Sequence, residues 1–228
     1  MALNTQQQAY LTTMGVTLWR DQSAPDTPSR RSPQLDRERI NLLNWDELAA
    51  QVSNCEACDL HQGRSQALAG TGNQQADLLI ITAAPSAEED RHAGPLVGNA
   101  GQLLNGMLMA IGVKRHQVYL TNIVKCRPLD DREPEPQEID CCAAYLHRQI
   151  ALLQPKLIVA IGLPVAQALL TTQQSLDDLR SRVHTMHETE LPLIATFAPA
   201  YLLTSPLEKR KSWQDLLLVK HTLDNLNN

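Results

Sequence analysis

No run of about eighteen apolar residues, the length of a membrane-spanning helix, occurs in the 228-residue chain. The N-terminal stretch MALNTQQQAYL lacks both a basic leading region and an apolar core, so secretion is unsupported and a cytoplasmic protein is expected. Positive charge is not in excess either. A formal net charge of −5 and a pI near 5.8 exclude nucleic-acid binding over the whole surface, so any contact with DNA must be local. The basic groups at Arg30-Arg31, Lys114-Arg115, Lys125 with Arg127, and Lys209-Arg210-Lys211 read first as solvated faces. An even cysteine count is also lacking. Five cysteines in a reducing compartment point to metal ligands or buried thiols rather than disulfides. No internal repeat occurs, and the length, with 43% hydrophobic residues, suits one sizeable core with extensions.

Three regions are expected from composition. Residues 1–20 contain a hydrophobic peptide in which Tyr10, Leu11 and Met14 share a helical face, Gly15 stops the helix, and Val16 and Trp19 follow. Residues 21–40 hold Pro25, Pro28 and Pro33 with charges and almost no large apolar side chain, the composition of an extended, disordered linker. Residues 41–228 are globular. There the stretch from Ile40 to Cys55 suits a helix, and apolar strands are expected at 77–82, 118–124, 157–162 and 193–197. Helices are expected between and after them at 102–111, 136–153, 164–170 and about 209–226. Strands alternating with helices predict an α/β three-layer sandwich around a mostly parallel sheet. Ligands of such sheets bind where the strands end, which singles out the loops at Ala83 to Ser86, at Lys125 to Arg127 and at Ala198 to Ala200.

Cys55-x-x-Cys58 supplies two thiolates from one turn, and Cys126 and Cys142 follow far along the chain, with Cys141 beside the last. Four thiolates suit a [4Fe–4S] cluster or a structural zinc ion, and free cysteines are also common in cores, so spacing alone leaves all three open. A group bound there would close two long loops and fix the one that carries Cys126, a structural role.

From Cys55 onward the chain resembles the family 4 type of uracil-DNA glycosylases, the iron–sulfur branch of that superfamily. APSAEED at 84–90 and AGPLVGNAGQLL at 93–104 are similar to that family's APG-x-x-ED and GRPFVG-x-AGQLL stretches. TNIVKCRP at 121–128, PQEI at 136–139, PKLIVAIG at 155–162 and APAYLL at 198–203 match further blocks. The resemblance implies a [4Fe–4S] cluster on Cys55, Cys58, Cys126 and Cys142, with register through Glu138-Ile139 selecting Cys142 over Cys141. It also implies losses. The family's water-positioning glutamate falls on Ala83, with Thr82 and Ser86 at the glycines of the same GEAPG motif. The phenylalanine that stacks on uracil falls on Leu96, and the histidine that stabilises the departing uracil anion falls on Ala198. Asn122 matches the asparagine that hydrogen-bonds uracil and, with Leu96 and Pro85, makes up the implied base pocket. An asparagine at a strand end also commonly satisfies loop backbone groups. Glu88, Glu89 and Asp90 are the acidic residues nearest the lost carboxylate, whereas His92 and His116 read as surface histidines.

The segment from Tyr10 to Trp19 resembles a different family, the psi subunit of bacterial DNA polymerase III, whose N-terminal L-x-x-(L/M)-G-I-x-x-W peptide docks on the clamp loader. A tryptophan flanked by aliphatic anchors is a usual composition for a peptide that folds onto a partner. Together the two resemblances imply a non-catalytic, psi-like subunit with a degenerate glycosylase domain. Its partners would be the clamp loader through Tyr10, Leu11, Met14, Val16 and Trp19, a chi-like subunit through the globular domain, and DNA locally, in a bacterial nucleoid-associated setting. The alternative is a DNA-repair glycosylase that excises uracil with altered or reduced activity.

Overall fold

A computed structural model describes residues 36–92, 94–186 and 189–227. The docking peptide and most of the linker expected from the sequence lie outside the described residues. The segment Arg37–Ile40, expected within the linker, is instead a short helix, α1, with Asp36 as its N-cap and Ile40 buried in the core. The folded part therefore begins earlier than residue 41.

Four strands, β2 (Leu78–Thr82), β3 (Val118–Asn122), β4 (Leu157–Ile161) and β6 (Pro192–Thr196), form the parallel centre of a sheet. β2, β3 and β4 are buried at every position, which is why each reads as a continuous apolar run rather than an alternation. Two antiparallel edges, β1 (Thr71–Gly72) and β5 (His184–Thr185), complete the order β1-β3-β2-β4-β6-β5. The sequence gives no sign of these two-residue strands, because pairing with β3 and β6 alone defines them.

Helices cover both faces. α2 (Trp45–Ser53), α5 (Pro136–Leu153) and α6 (Leu163–Leu170) enclose Leu79, Ile81, Ile158 and Ala160 on one side. α4 (Gly98–Ala110), α8 (Pro199–Thr204) and α9 (Lys209–Leu226) enclose Leu78, Ile80, Val159 and Ile194 on the other. The remaining helices are α3 (Ala87–His92) and α7 (Leu176–Leu179). This is the three-layer α/β sandwich expected. The single helix expected from Ile40 to Cys55 is broken by Asn44, whose side chain accepts from the Asp46 and Glu47 amides while Glu47 reaches back to the Asn44 amide. β3 ends at Asn122 rather than Val124, yet the Ile123 and Val124 amides still donate to the Thr82 and Ala83 carbonyls. Among the described residues no helix is long and apolar enough to cross a membrane.

Strand β2 has β3 on one side and β4 on the other. The chain reverses its direction of travel across the sheet there, and such a switch point opens a crevice beyond the carboxyl ends of the strands.

Candidate functional site

The crevice is a cavity of about 610 Å3 built from the loops that leave β2, β4 and β6 and from the segment that enters α4. Ala83 and Ala84 come from the first loop, Gly162 to Pro164 from the second, Phe197 to Tyr201 from the third, and Leu96 and Val97 from the fourth. Its wall is mainly apolar. Leu96 holds a left-handed backbone, φ 52°, uncommon for a bulky residue. Two contacts fix it there: its amide and that of Ser86 both donate to the Glu89 carboxylate, and Arg115 donates to the Pro95 carbonyl at 2.8 Å. Gly101 permits the turn, since a Cβ at that position would overlap the Leu96 carbonyl oxygen.

Of the acidic residues that follow Ala83, Glu89 is committed to these two amides. Asp90 is buried and accepts from the Ser65 and Gln66 amides; these bonds outweigh the desolvation that opposes its charge and hold its carboxyl below the usual carboxylate range. Glu88 is exposed, lines the cavity and lies against Gly98, and Glu133 lines it from another loop. His92 is exposed and outside the cavity lining, as is His116.

Ala83, Leu96 and Ala198 do line the cavity, whereas Asn122 and Pro85 do not. Asn122 is wholly buried. Thr82 is its register partner on the neighbouring parallel strand, and the Asn122 amide nitrogen donates to the Thr82 hydroxyl at 2.6 Å. Thr82 lines the cavity and holds the Asn122 amide nitrogen across the β2–β3 pair. The Asn122 Oδ1 atom is buried with no hydrogen-bond partner, an uncommon state for an acceptor.

All five cysteines line a second, smaller cavity, together with His61, Lys125 and Tyr145. Cys55 and Cys58 enter from the turn after α2, Cys126 from the loop after β3, and Cys141 and Cys142 from the first turns of α5. The loop after Cys126 is tied to the start of α5 by a bidentate pair, Arg132 to Glu138 at 2.6 and 2.9 Å. Two N–H groups point at sulfur: Arg64 Nη1 donates to Cys126 Sγ at 2.8 Å, and the Lys125 amide to Cys142 Sγ at 3.3 Å. Burial pushes the Cys58 thiol up to about 11 and the Cys142 thiol up to about 12, the latter against the pull of Lys125. Holding these groups as thiolates therefore requires a cationic centre, and loading releases protons.

Among the described residues no set of three or more His, Cys, Asp or Glu side chains is placed to hold a metal ion. A sulfur-rich cavity with N–H donors aimed at its thiols suits a polynuclear group, which spreads its ligands over several metal atoms. Lys125, expected on a solvated face, is fully buried, and Arg115 is half-buried on the Leu96 loop. Neither is available for DNA phosphate.

The arrangement of sheet, crevice and cysteine loops defines a class, and comparison with known sequences agrees with it. The profile of the Uracil DNA glycosylase superfamily matches residues 69–217, and the chain belongs to that superfamily. Within it, the chain is 35% identical over 182 residues to a type-4 uracil-DNA glycosylase of Pyrobaculum aerophilum, covering 77% of this chain and 93% of that one. It is 34% identical to a type-4 uracil-DNA glycosylase of Archaeoglobus fulgidus, covering 72% and 86%. A type-4 uracil-DNA glycosylase of Thermotoga maritima is 39% identical over 115 residues, half of this chain.

Proposed function

We propose that this chain is a DNA-acting protein of the type-4 uracil-DNA glycosylase kind, with a cysteine-held [4Fe–4S] cluster as a structural element and with uracil excision far slower than that of a fully equipped enzyme. The observation that carries the reading is the cavity at the strand ends, lined by Ala83, Leu96 and Ala198, where the family resemblance implies a carboxylate, an aromatic ring and an imidazole, with the Asn122 amide nitrogen bonded to Thr82. Flipping a base costs a few kcal/mol, which the pocket must recover by stacking and by hydrogen bonds to the base edge. Leu96 offers contact without a π-face, and the Asn122 amide nitrogen is already engaged by Thr82. Removing one electrostatic group commonly costs roughly 10²–10³ in rate, and such losses do not simply add. The cluster reading is supported by the five-cysteine cavity and its two N–H···S contacts.

The test is a uracil-excision assay on purified, iron-replete protein with single-stranded uracil DNA, beside the Pyrobaculum relative. Excision slower by about a thousandfold or more is expected on the basis of two missing groups. Comparable turnover would contradict the reading.

A second reading rests on the residues from Tyr10 to Trp19 and the proline-bearing stretch after them. They support a psi-like role in which the N-terminal peptide docks on a clamp loader and the globular domain meets a chi-like subunit. Trp19→Ala is expected to weaken clamp-loader binding in a pull-down with the full chain. Binding unchanged by the substitution would rule this reading out.

A further inference from the structure

Lys125 is the buried lysine among the described residues, and its ammonium is enclosed completely. All three of its donors are used: Thr121 Oγ1 at 2.7 Å, the Asn122 carbonyl at 2.6 Å and Gln149 Oε1 at 2.7 Å. Each of these acceptors is neutral. Lys125 lines the small cavity that also holds Cys126 and Cys142. A fully buried cation without an opposing charge is costly, and breaking such a balance costs more than building it gains. With all five cysteines as free thiols, this ammonium has no counter-charge. With Cys126 and Cys142 as thiolates of a bound iron–sulfur group, it has one.

The same ammonium fastens the C-terminal end of β3. Thr121 and Asn122 are consecutive residues there, Gln149 comes from α5, and Asn122 pairs with Thr82 at the floor of the strand-end cavity. The Lys125 amide meanwhile donates to Cys142 Sγ. One residue therefore touches the cysteine cavity with its backbone and the cavity floor's supporting strand with its side chain.

We propose that Lys125 is the buried counter-charge of the cysteine-held group and the positioning residue through which the presence of that group is transmitted to Asn122 and Thr82. The proposal rests on the cluster reading above. Its chemistry is electrostatic: a fixed positive charge beside the group favours the reduced, more negative form and so raises its reduction potential, and it also resists loss of the group.

The test uses the full chain, reconstituted anaerobically with iron and sulfide, as wild type and as Lys125→Gln and Lys125→Met. Three quantities are read: midpoint potential by spectroelectrochemistry, the rate of iron loss to a chelator, and amide hydrogen exchange of the wild type with and without the cluster. Both variants should have a lower midpoint potential and should release iron about tenfold or more faster, the scale of outer-shell substitutions at metal sites. In the wild type, cluster removal should speed exchange at the end of β3 and at Thr82 as well as at the cysteine loops. That last measurement needs no variant and holds even if the substitutions prevent folding. Iron-loaded variants with the wild-type potential and release rate would overturn the counter-charge role. Exchange changes confined to the cysteine loops would overturn the transmission to Thr82. A wild-type chain that takes up no iron would overturn the cluster reading together with this one, which separates the two failures.

Discussion

At the residue scale, the contact between the Asn122 amide and the Thr82 hydroxyl bears most directly on the proposed function. The hydroxyl on β2 occupies the Asn122 amide nitrogen, and Thr82 is among the cavity-lining residues whereas Asn122 is not. Thr82→Gly removes the hydroxyl that holds the Asn122 amide, and its stability cost is about 0.5–1 kcal/mol for glycine relative to alanine within a strand, plus the loss of a buried side chain. Isothermal titration with free uracil should show binding to the Thr82→Gly protein that the wild type lacks, and adding Asn122→Ala should abolish it. Absence of any gain would mean that this hydroxyl does not limit access. Ala83, Leu96 and Ala198 could be placed on the cavity wall from sequence similarity alone, because each follows a strand or precedes a helix of fixed register. The bond from Asn122 to Thr82 could not, since it depends on which residue faces Asn122 across the β2–β3 pair.

At the scale of elements, the central strands were legible because burial on both faces makes them apolar throughout, and α5 and α9 because they are long. The edge strands were not, nor was α3, whose sequence AEEDRH has the composition of a loop while burying Glu89 and Asp90 on backbone amides. Two polar clamps hold the elements around the sites. Asp215 on α9, wholly buried, accepts from Arg180 Nε at 2.8 Å and from Thr196 on β6 at 2.8 Å, and Arg180 lies 4.8 Å from the Phe197 ring centre. Asp215→Ala strands the buried guanidinium and should cost about 3–5 kcal/mol in urea unfolding. A loss below about 1 kcal/mol, the scale of an exposed pair, would show that the clamp is not needed.

The second clamp is pH-dependent. The Arg132 guanidinium holds the Glu138 carboxyl below its usual 4.5, with the Glu135 amide adding to the effect. A carboxyl whose folded value is depressed contributes its full stability above the unfolded value, and that contribution fades as pH falls through the folded value. Stability should therefore decline as pH drops below about 4.5, and Glu138→Gln should flatten that part of the profile while leaving a lower plateau at neutral pH. A variant with the wild-type acid limb would place the acid sensitivity elsewhere.

At the scale of the whole molecule, the described residues enclose two cavities: one mainly apolar at the ends of β2, β4 and β6, and one lined by sulfur. The superfamily is shared with the type-4 glycosylases, and Ala83, Leu96 and Ala198 line the strand-end cavity. Fold and site thus give separate information, since a scaffold does not by itself fix an activity. The most direct measurement is the single-turnover rate of uracil release by the iron-replete full chain, set beside that of the Pyrobaculum relative under the same conditions. A rate about a thousandfold or more below the relative, recovered in part by Thr82→Gly with Ala83→Glu and Ala198→His, is the expected result. A wild-type rate equal to that of the relative would contradict the account.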